Sequence, residues 1–423
     1  MSIRILIIAE HASLEFGGEA ALPLHYFRVL RKRDVKVWLL VHERTADELR
    51  ARFGKDAPII FVPDTRLVRF LWRLTRALPQ RIAYFSTGYL MRILTQAQQK
   101  KIAQNIIRKE AIDIVHVPMP VSPREPSLLY GLGAPVIIGP MNGSMDYPPG
   151  FRRTNGWFES TFIKAGRSFS NLMNRVFPGK RQAAALLVAN ERTRRALPSG
   201  IGGEIIEVVE NGVDLSLWNT THQHRQTKDH GYARFVFMGR LIALKGVDLL
   251  LEAFKTACRK QPMSLLIVGE GPEREKLEKI AQTYALQANG EEAGSVTFAG
   301  WCAQEECTEY LGSSDALILP SLMECGGAVV LEAMAMALPV IATDWGGPRD
   351  YLDETCGILV PPTTPGTFVK GLEKAMVRLA ISRERREQMG QSGSEKIRTL
   401  FDWDVKVSEM LEIYERVSNQ KSH

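Results

Sequence analysis

The sequence predicts an α/β protein made of two Rossmann-like domains, each a doubly wound parallel sheet. Three observations carry this expectation. The chain has 423 residues, more than the roughly 250–300 at which one core stops growing. Short runs rich in Ile, Val and Leu recur along it, apolar on both faces as buried parallel strands must be. Helix-length segments separate them, which is the βαβ pattern.

The first strand-like series is Ile3–Ala9, Val35–Val41, Ile59–Val62, Ile112–Val117, Val136–Gly139 and Leu186–Ala189. Leu90–Glu110 is a helix-length segment between two of them. Asn211-Gly212-Val213-Asp214 is a turn signal, and the polar stretch Thr220–Gly231 follows it. A second series runs Phe235–Met238, Leu265–Val268, Val296–Ala299, Ala316–Leu319, Val340–Thr343 and Gly357–Val360. The expected organisation is a first domain over 1–214, a linker over 215–232 and a second domain over 233–400. A C-terminal helix over 401–423 is expected to cross back to the first domain. Ligands of such sheets bind at the carboxyl ends of the strands, so the expected site is a central cleft faced by both domains.

Hydrophobic content of 45% and charged content of 24% exclude a disordered or fibrous chain. The net charge of +7 is divided unevenly. Residues 1–215 hold 31 Lys and Arg against 19 Asp and Glu, and the remainder 23 against 28. The basic half is expected to attract an anionic surface or ligand. The five cysteines include no C-x-x-C pair and all lie in the second half. That suits a reducing cytoplasm better than a disulfide framework or zinc site. Met1–Ala9 reads as a first strand rather than a signal sequence, and no uninterrupted apolar run reaches 18 residues.

The strongest chemical signal is PSLMECGGAVVLEAMAMALPVIATDWGGPRD, Pro320 to Asp350. A strand ends in a loop carrying Glu324; Cys325-Gly326-Gly327 then lead into a helix. Glycines at a helix start let a ligand approach the backbone, and a helix N-terminus attracts phosphate. Glu332, inside that helix, can accept hydrogen bonds from a vicinal diol such as ribose. The second signal is Gly239-Arg240-Leu241, with Lys245-Gly246 three residues on, directly after a strand. Two cations at that place suit a diphosphate.

These motifs resemble the group 1 domain of glycosyltransferase family 4, retaining enzymes of the GT-B fold. The matching text is GRL-x3-KG, VGEGPEREKLE, FAGW, PSLMECGGAVVLEAMA, DWGGPRDYL and NGVD at the linker, dense over 205–365. In the first half it is sparser: Gly17-Gly18, and Asp113-Ile114-Val115-His116. The resemblance implies donor binding by Gly17, Gly18, Gly239, Arg240, Lys245, Trp301, Glu324, Gly326, Gly327 and Glu332. Arg240 and Lys245 would hold the diphosphate, Glu332 the ribose, Glu324 the transferred sugar, and the surroundings of Trp301 the base. Arg240, Lys245, Glu324 and His116 are the catalytic candidates. The chain departs from the family at Cys325, where Phe is frequent, at Ala337 and Asp350, and at Pro118, where a second His is frequent. The implied reaction is retaining transfer from a nucleotide-diphosphate-sugar to a saccharide or lipid-linked acceptor, with no metal or other cofactor. Cell-surface polysaccharide or glycoconjugate synthesis is the expected setting.

On the acceptor side the candidates are His116, Asn142, Gly143, Asp146 and Tyr147, which follow strand-like runs of the first domain. In Arg66–Leu78, Arg66, Arg69, Arg73 and Arg76 recur on one face. Leu67, Leu71, Leu74 and Leu78 recur on another, with Phe70 and Trp72 at the boundary. This is the pattern of a basic amphipathic helix at an anionic membrane surface, here the inner face. Arg152–Arg181 carries Trp157, Phe158, Phe162 and Phe169 among seven cations. A nucleotide-sugar epimerase or a glycoside phosphorylase of the same fold remains open. A basic nucleic-acid-binding protein is opposed by the glycine loops and the acidic second half, so no nucleic-acid partner is expected.

Overall fold

A computed structural model describes residues 3–75, 87–151, 169–218, 231–286 and 293–420. Its contacts divide the described residues into two compact units. Those within Met1–Ser144, Gly156–Glu210 and Val407–His423 form the first, and those within Met145–Asn155 and Asn211–Lys406 the second.

The first unit contains seven parallel strands: β1 (Arg4–Ile8), β2 (Lys36–His42), β3 (Ile59–Val62), β4 (Ile114–Val117), β5 (Val136–Met141), β6 (Ala185–Val188) and β7 (Glu204–Glu207). Their order across the sheet is β3-β2-β1-β4-β5-β6-β7. Leu6, Ile8, Val115, Val117, Ile138, Leu186 and Val188 are buried on one face, and Ile5, Ile7 and Ile137 on the other. Burial on both faces is why these strands read as continuous apolar runs. β7 was not expected from the sequence. It is an edge strand, Glu-Ile-Ile-Glu, with exposed glutamates at both ends, so it lacks the doubly apolar signature.

The second unit contains β8 (Ala233–Met238), β9 (Met263–Val268), β10 (Val296–Gly300), β11 (Ala316–Leu319), β12 (Val340–Thr343) and β13 (Gly357–Val360). They form a parallel sheet in the order β10-β9-β8-β11-β12-β13. Helices Val247–Ala257 and Pro365–Ile381 bury Leu250, Phe254, Phe368 and Leu372. The second of these helices starts where the sequence dictates. Pro365 occupies its first turn, and the Thr364 hydroxyl accepts from the Thr367 N–H at 3.3 Å.

Each sheet therefore reverses its strand order once, between β1 and β4 and between β8 and β11. Those are the switch points at which such sheets leave room for a ligand.

Residues 145–151 and 211–214, expected in the first domain, group with the second unit. The Trp345 indole N–H donates to the Asp146 carbonyl at 2.9 Å, and the Phe151 ring packs edge-on against Phe368 at 5.7 Å. Helix Trp403–Asn419 begins in the second unit, and its residues from Val407 onward belong to the first.

Helix Arg66–Thr75 also differs from the expected division into a leucine face and an arginine face. Val68 and Leu71 are buried, whereas Leu67, Phe70, Trp72 and Leu74 are exposed beside exposed Arg66, Arg69 and Arg73. Arg76 and Leu78 lie outside the described residues, as do Trp157, Phe158 and Phe162. Phe169 is described and exposed. Among the described residues no helix is long and apolar enough to cross a membrane.

Candidate active site

The candidate site of the second unit is assembled at its switch point. β8 ends at Met238 and runs into Gly239, Arg240 and a short turn ending at Lys245. β11 ends at Leu319 and runs into the loop Pro320–Gly327. The Leu322 N–H donates to the Leu244 carbonyl at 2.8 Å, which clips the two loops together. Across that junction the Lys245 ammonium forms an ion pair with the Glu324 carboxylate, and both side chains are largely buried. A largely buried pair of this kind holds each partner in place, and removing one leaves the other uncompensated. Arg240 is exposed, and its guanidinium meets no carboxylate among the described residues. Of the two cations, Lys245 is paired with Glu324 and Arg240 is open to a ligand.

Gly327 precedes helix Ala328–Ala335 with φ +87°, a left-handed conformation that glycine adopts without strain. The first-turn N–H groups of the helix lack intrahelical acceptors and open next to Glu324. A Cβ built on Gly327 would lie 3.0 Å from Glu324 Cγ. Glu332 sits one turn into the helix and is half-buried. Its carboxyl is pushed up to about 7 by desolvation, with no neighbouring charge contributing. Its surroundings include the Cys307 thiol, which burial also pushes up. Cys307 Sγ is 2.9 Å from Cys302 Sγ. Trp301, directly after β10, is 76% exposed and is open to a planar ligand.

Gly346 and Gly347, in the DWGG motif, have a part that the sequence alone did not assign. The Gly347 N–H donates to the Glu324 carbonyl at 2.8 Å. A Cβ on Gly347 would lie 2.2 Å from the Gly326 carbonyl and 2.3 Å from that of Cys325. Only a residue without a side chain lets these two loops meet, so Gly347 sets the height of the loop that presents Glu324. Consecutive glycines after a strand were the available signal. Met145 is a further neighbour that the sequence did not suggest, its Sδ 2.6 Å from a Cβ built on Gly346.

The first-unit candidates separate into three groups. Gly17 (φ +98°) and Gly18 are exposed at the start of helix Gly18–Lys32, beside the end of β1.

His116, by contrast, is fully buried in β4. Its Nε2 lies 2.7 Å from the Gly139 carbonyl and its Nδ1 2.7 Å from the Tyr414 hydroxyl. A carbonyl can only accept, so Nε2 carries the proton and Nδ1 accepts from Tyr414. Burial lowers its pKa to about 4, which keeps the ring neutral. Both nitrogens are committed inside the fold, so His116 ties β4 to β5 and to the last helix. That arrangement does not supply the catalytic or acceptor-side group expected from the sequence.

Asn142 and Gly143 are likewise buried, not open to an acceptor. Asn142 donates to Glu210 at 2.9 Å and accepts from Arg192 at 2.9 Å, while the Gly143 carbonyl accepts from Arg192 at 3.1 Å. Asp146 is exposed and Tyr147 half-buried, and both belong to the second unit.

Comparison with known proteins is consistent with this geometry. Residues 219–396 match the family described as glycosyl transferases group 1. A D-inositol 3-phosphate glycosyltransferase of Gordonia bronchialis is 31% identical over 54% of this chain and 52% of its own length. A GDP-mannose-dependent alpha-(1-6)-phosphatidylinositol monomannoside mannosyltransferase of Mycobacterium tuberculosis is 32% identical over 40% of this chain and 44% of its own. The chain thus spans about half the length of the curated relatives it matches. Among solved structures, Anabaena HepE in complex with UDP aligns with TM-score 0.67 at 14% identity, covering 98% of this chain and 100% of that one. Sucrose-phosphate synthase from Thermosynechococcus elongatus aligns with TM-score 0.62 at 17% identity, covering 98% and 99%. The fold is that of the GT-B glycosyltransferases, two Rossmann-like parallel-sheet domains.

Proposed function

We propose, from the match of residues 219–396 to the glycosyl transferases group 1 family, that the protein transfers a sugar from a nucleotide-diphosphate donor to a saccharide or lipid-linked acceptor. The observation that carries this reading is the Lys245–Glu324 pair set at the start of helix Ala328–Ala335, with Arg240 unpaired beside it among the described residues. Arg240, Lys245 and the helix N-terminus bind the diphosphate and stabilise the charge that grows on it as the anomeric C–O bond breaks. Glu324, held by Lys245 and by the Gly347 junction, faces the transferred sugar. Glu332 accepts from the ribose hydroxyls, and Trp301 lines the base site. Arg240 and the helix terminus, with the Lys245 N–H groups that Glu324 leaves unused, take the place of a metal at the diphosphate in this reading, so the transfer is metal-independent. Retention follows from attack on the face the leaving group departs from, with the leaving oxygen taking the acceptor's proton. His116 has no part in this scheme.

The exposed face of helix Arg66–Thr75, with Phe70 and Trp72 among three arginines, supports peripheral contact with an anionic bilayer. Flotation with vesicles containing phosphatidylserine tests this, with a Phe70→Ser/Trp72→Ser variant expected to lose binding. Equal binding by the variant removes the membrane reading.

The transfer itself is tested by thermal stabilisation with UDP-, GDP- and ADP-sugars without added metal. A donor at 100 times its dissociation constant adds about 2.7 kcal/mol. Stabilisation by one nucleotide family, lost in Arg240→Ala, is the expected result. No stabilisation by any of them rejects the donor site.

A further inference from the structure

The second switch point, in the first unit, holds a cavity of about 250 Å³ that none of the comparisons assigns. It opens beyond the carboxyl ends of β1 and β4, where the strand order reverses. Its walls combine the residues following β1 (Ala9, Glu10, His11), those following β4 (Met119, Pro120) and the helix Tyr89–Glu110 that crosses behind them. The volume is below the roughly 300 Å³ at which drug-sized pockets begin, so it suits a single ring rather than an extended ligand.

Its chemistry contradicts the net charge of the half in which it lies. Glu10, Glu19 and Glu125 line it, and Arg92 is the one lysine or arginine among the described lining residues. Arg92 is already paired, its Nε 2.5 Å from Glu125 Oε1. Glu19 accepts from the Val121 N–H at 2.9 Å through Oε1, and Gln96 from the Leu128 N–H at 2.8 Å through its amide oxygen. That fixes both side chains and leaves the second Glu19 oxygen and the Gln96 amide N–H groups for a ligand. The buried Nδ1 of His11 has no hydrogen-bond partner among the described residues. Phe16 stands half-exposed at the wall, its ring edge-on to His11 at 5.2 Å, and offers an apolar face beside the polar groups.

We propose that this cavity binds one sugar ring that carries no phosphate and that it favours a ring bearing a protonated amine. This rests on the glycosyltransferase reading for its role, as a seat for one ring of the acceptor. Fixed acceptors, amide donors and one apolar ring edge match a ring with hydroxyls around its rim and C–H bonds on its face. The carboxylate excess attracts an ammonium group and repels a phosphate. Arg66, Arg69 and Arg73, exposed on helix Arg66–Thr75, lie outside the cavity lining.

The test is saturation-transfer NMR with the full chain and three probes: methyl glucoside, glucosamine and glucose 6-phosphate. UDP-, GDP- and ADP-sugar binding is measured separately on the same samples. Glucosamine and methyl glucoside are expected to bind, and glucose 6-phosphate not. Glu19→Gln keeps the acceptor for Val121 but removes the charge. It is expected to weaken glucosamine by about 10-fold while sparing methyl glucoside. A second variant, Glu10→Gln, is expected to act in the same direction, so misfolding of one does not decide the matter. Binding of glucose 6-phosphate as tight as that of glucosamine overturns the proposal, as does the absence of any sugar binding. Loss of nucleotide-sugar binding alone counts against the donor reading and leaves the cavity result standing.

Discussion

Glu332 offers a sharp prediction, because one carboxyl is asked to serve binding at a cost in stability. The perturbation is Glu332→Gln. In the folded protein the carboxyl titrates near 7, against an ordinary value of 4.5, and desolvation is the cause. A carboxyl raised in the folded state binds more protons there than in the unfolded chain between those two values. Stability therefore falls as pH rises through that window, and the full cost is present above pH 7. At 1.36 kcal/mol per pH unit the window amounts to about 3 kcal/mol, and the residual solvent contact of a half-buried side chain reduces this to about 1–3 kcal/mol. Glutamine has nearly the same shape and no charge. Urea unfolding of wild type and variant is compared at pH 5 and pH 8.5. The two are expected to be nearly equal at pH 5, with the variant more stable by about 1–3 kcal/mol at pH 8.5. The same variant is expected to bind the nucleotide-sugar more weakly, since an amide replaces the carboxylate that would accept from the ribose hydroxyls. A stability difference that does not change between the two pH values would refute the reasoning, because it would mean that the carboxyl is not held neutral by its surroundings.

Three further outcomes follow from the same geometry. Arg240→Ala is expected to lower turnover by about 10²–10³ while leaving the melting temperature unchanged, because its guanidinium meets no carboxylate among the described residues; steady-state assay and calorimetry check the two halves. Gly347→Ala places a Cβ 2.2 Å from the Gly326 carbonyl and is expected to cost about 1–3 kcal/mol and to weaken donor binding, read by denaturation and titration. Tyr414→Phe leaves Nδ1 of the buried His116 without its donor. It is expected to cost about 1–3 kcal/mol in urea unfolding with donor affinity unchanged, and a selective loss of turnover instead would return His116 to the chemistry.

Twelve of the thirteen strands could be read from the chain, and the reason is physical. A strand buried on both faces of a parallel sheet is apolar nearly throughout, and runs such as Ala-Leu-Ile-Leu or Val-Ile-Ala between polar or proline-bearing turns satisfy little else. β7 escaped because an edge strand with one glutamate at each end carries no such constraint. Arg240, Lys245 and Glu324 were readable for a related reason. Strand ends at a switch point are where a fold of this class exposes chemistry, and charged residues there stand out from the apolar runs.

What the sequence determined by itself is therefore the two parallel sheets and the side chains at the ends of β8 and β11. The tertiary structure alone decided which of those side chains are committed elsewhere. His116 and Asn142 carry the same polar groups whether they face a ligand or the interior, and only the placement of Tyr414, Gly139, Glu210 and Arg192 around them settles that they face inward. It alone assigned residues 145–151 to the second unit and set the Glu324 loop on Gly347. It also gathered Glu10 and Glu19 with Glu125, which lies more than a hundred residues further along the chain, around one cavity in a basic half. Periodicity records how a residue sits in its own element, whereas pairing between distant elements depends on packing that no local pattern encodes.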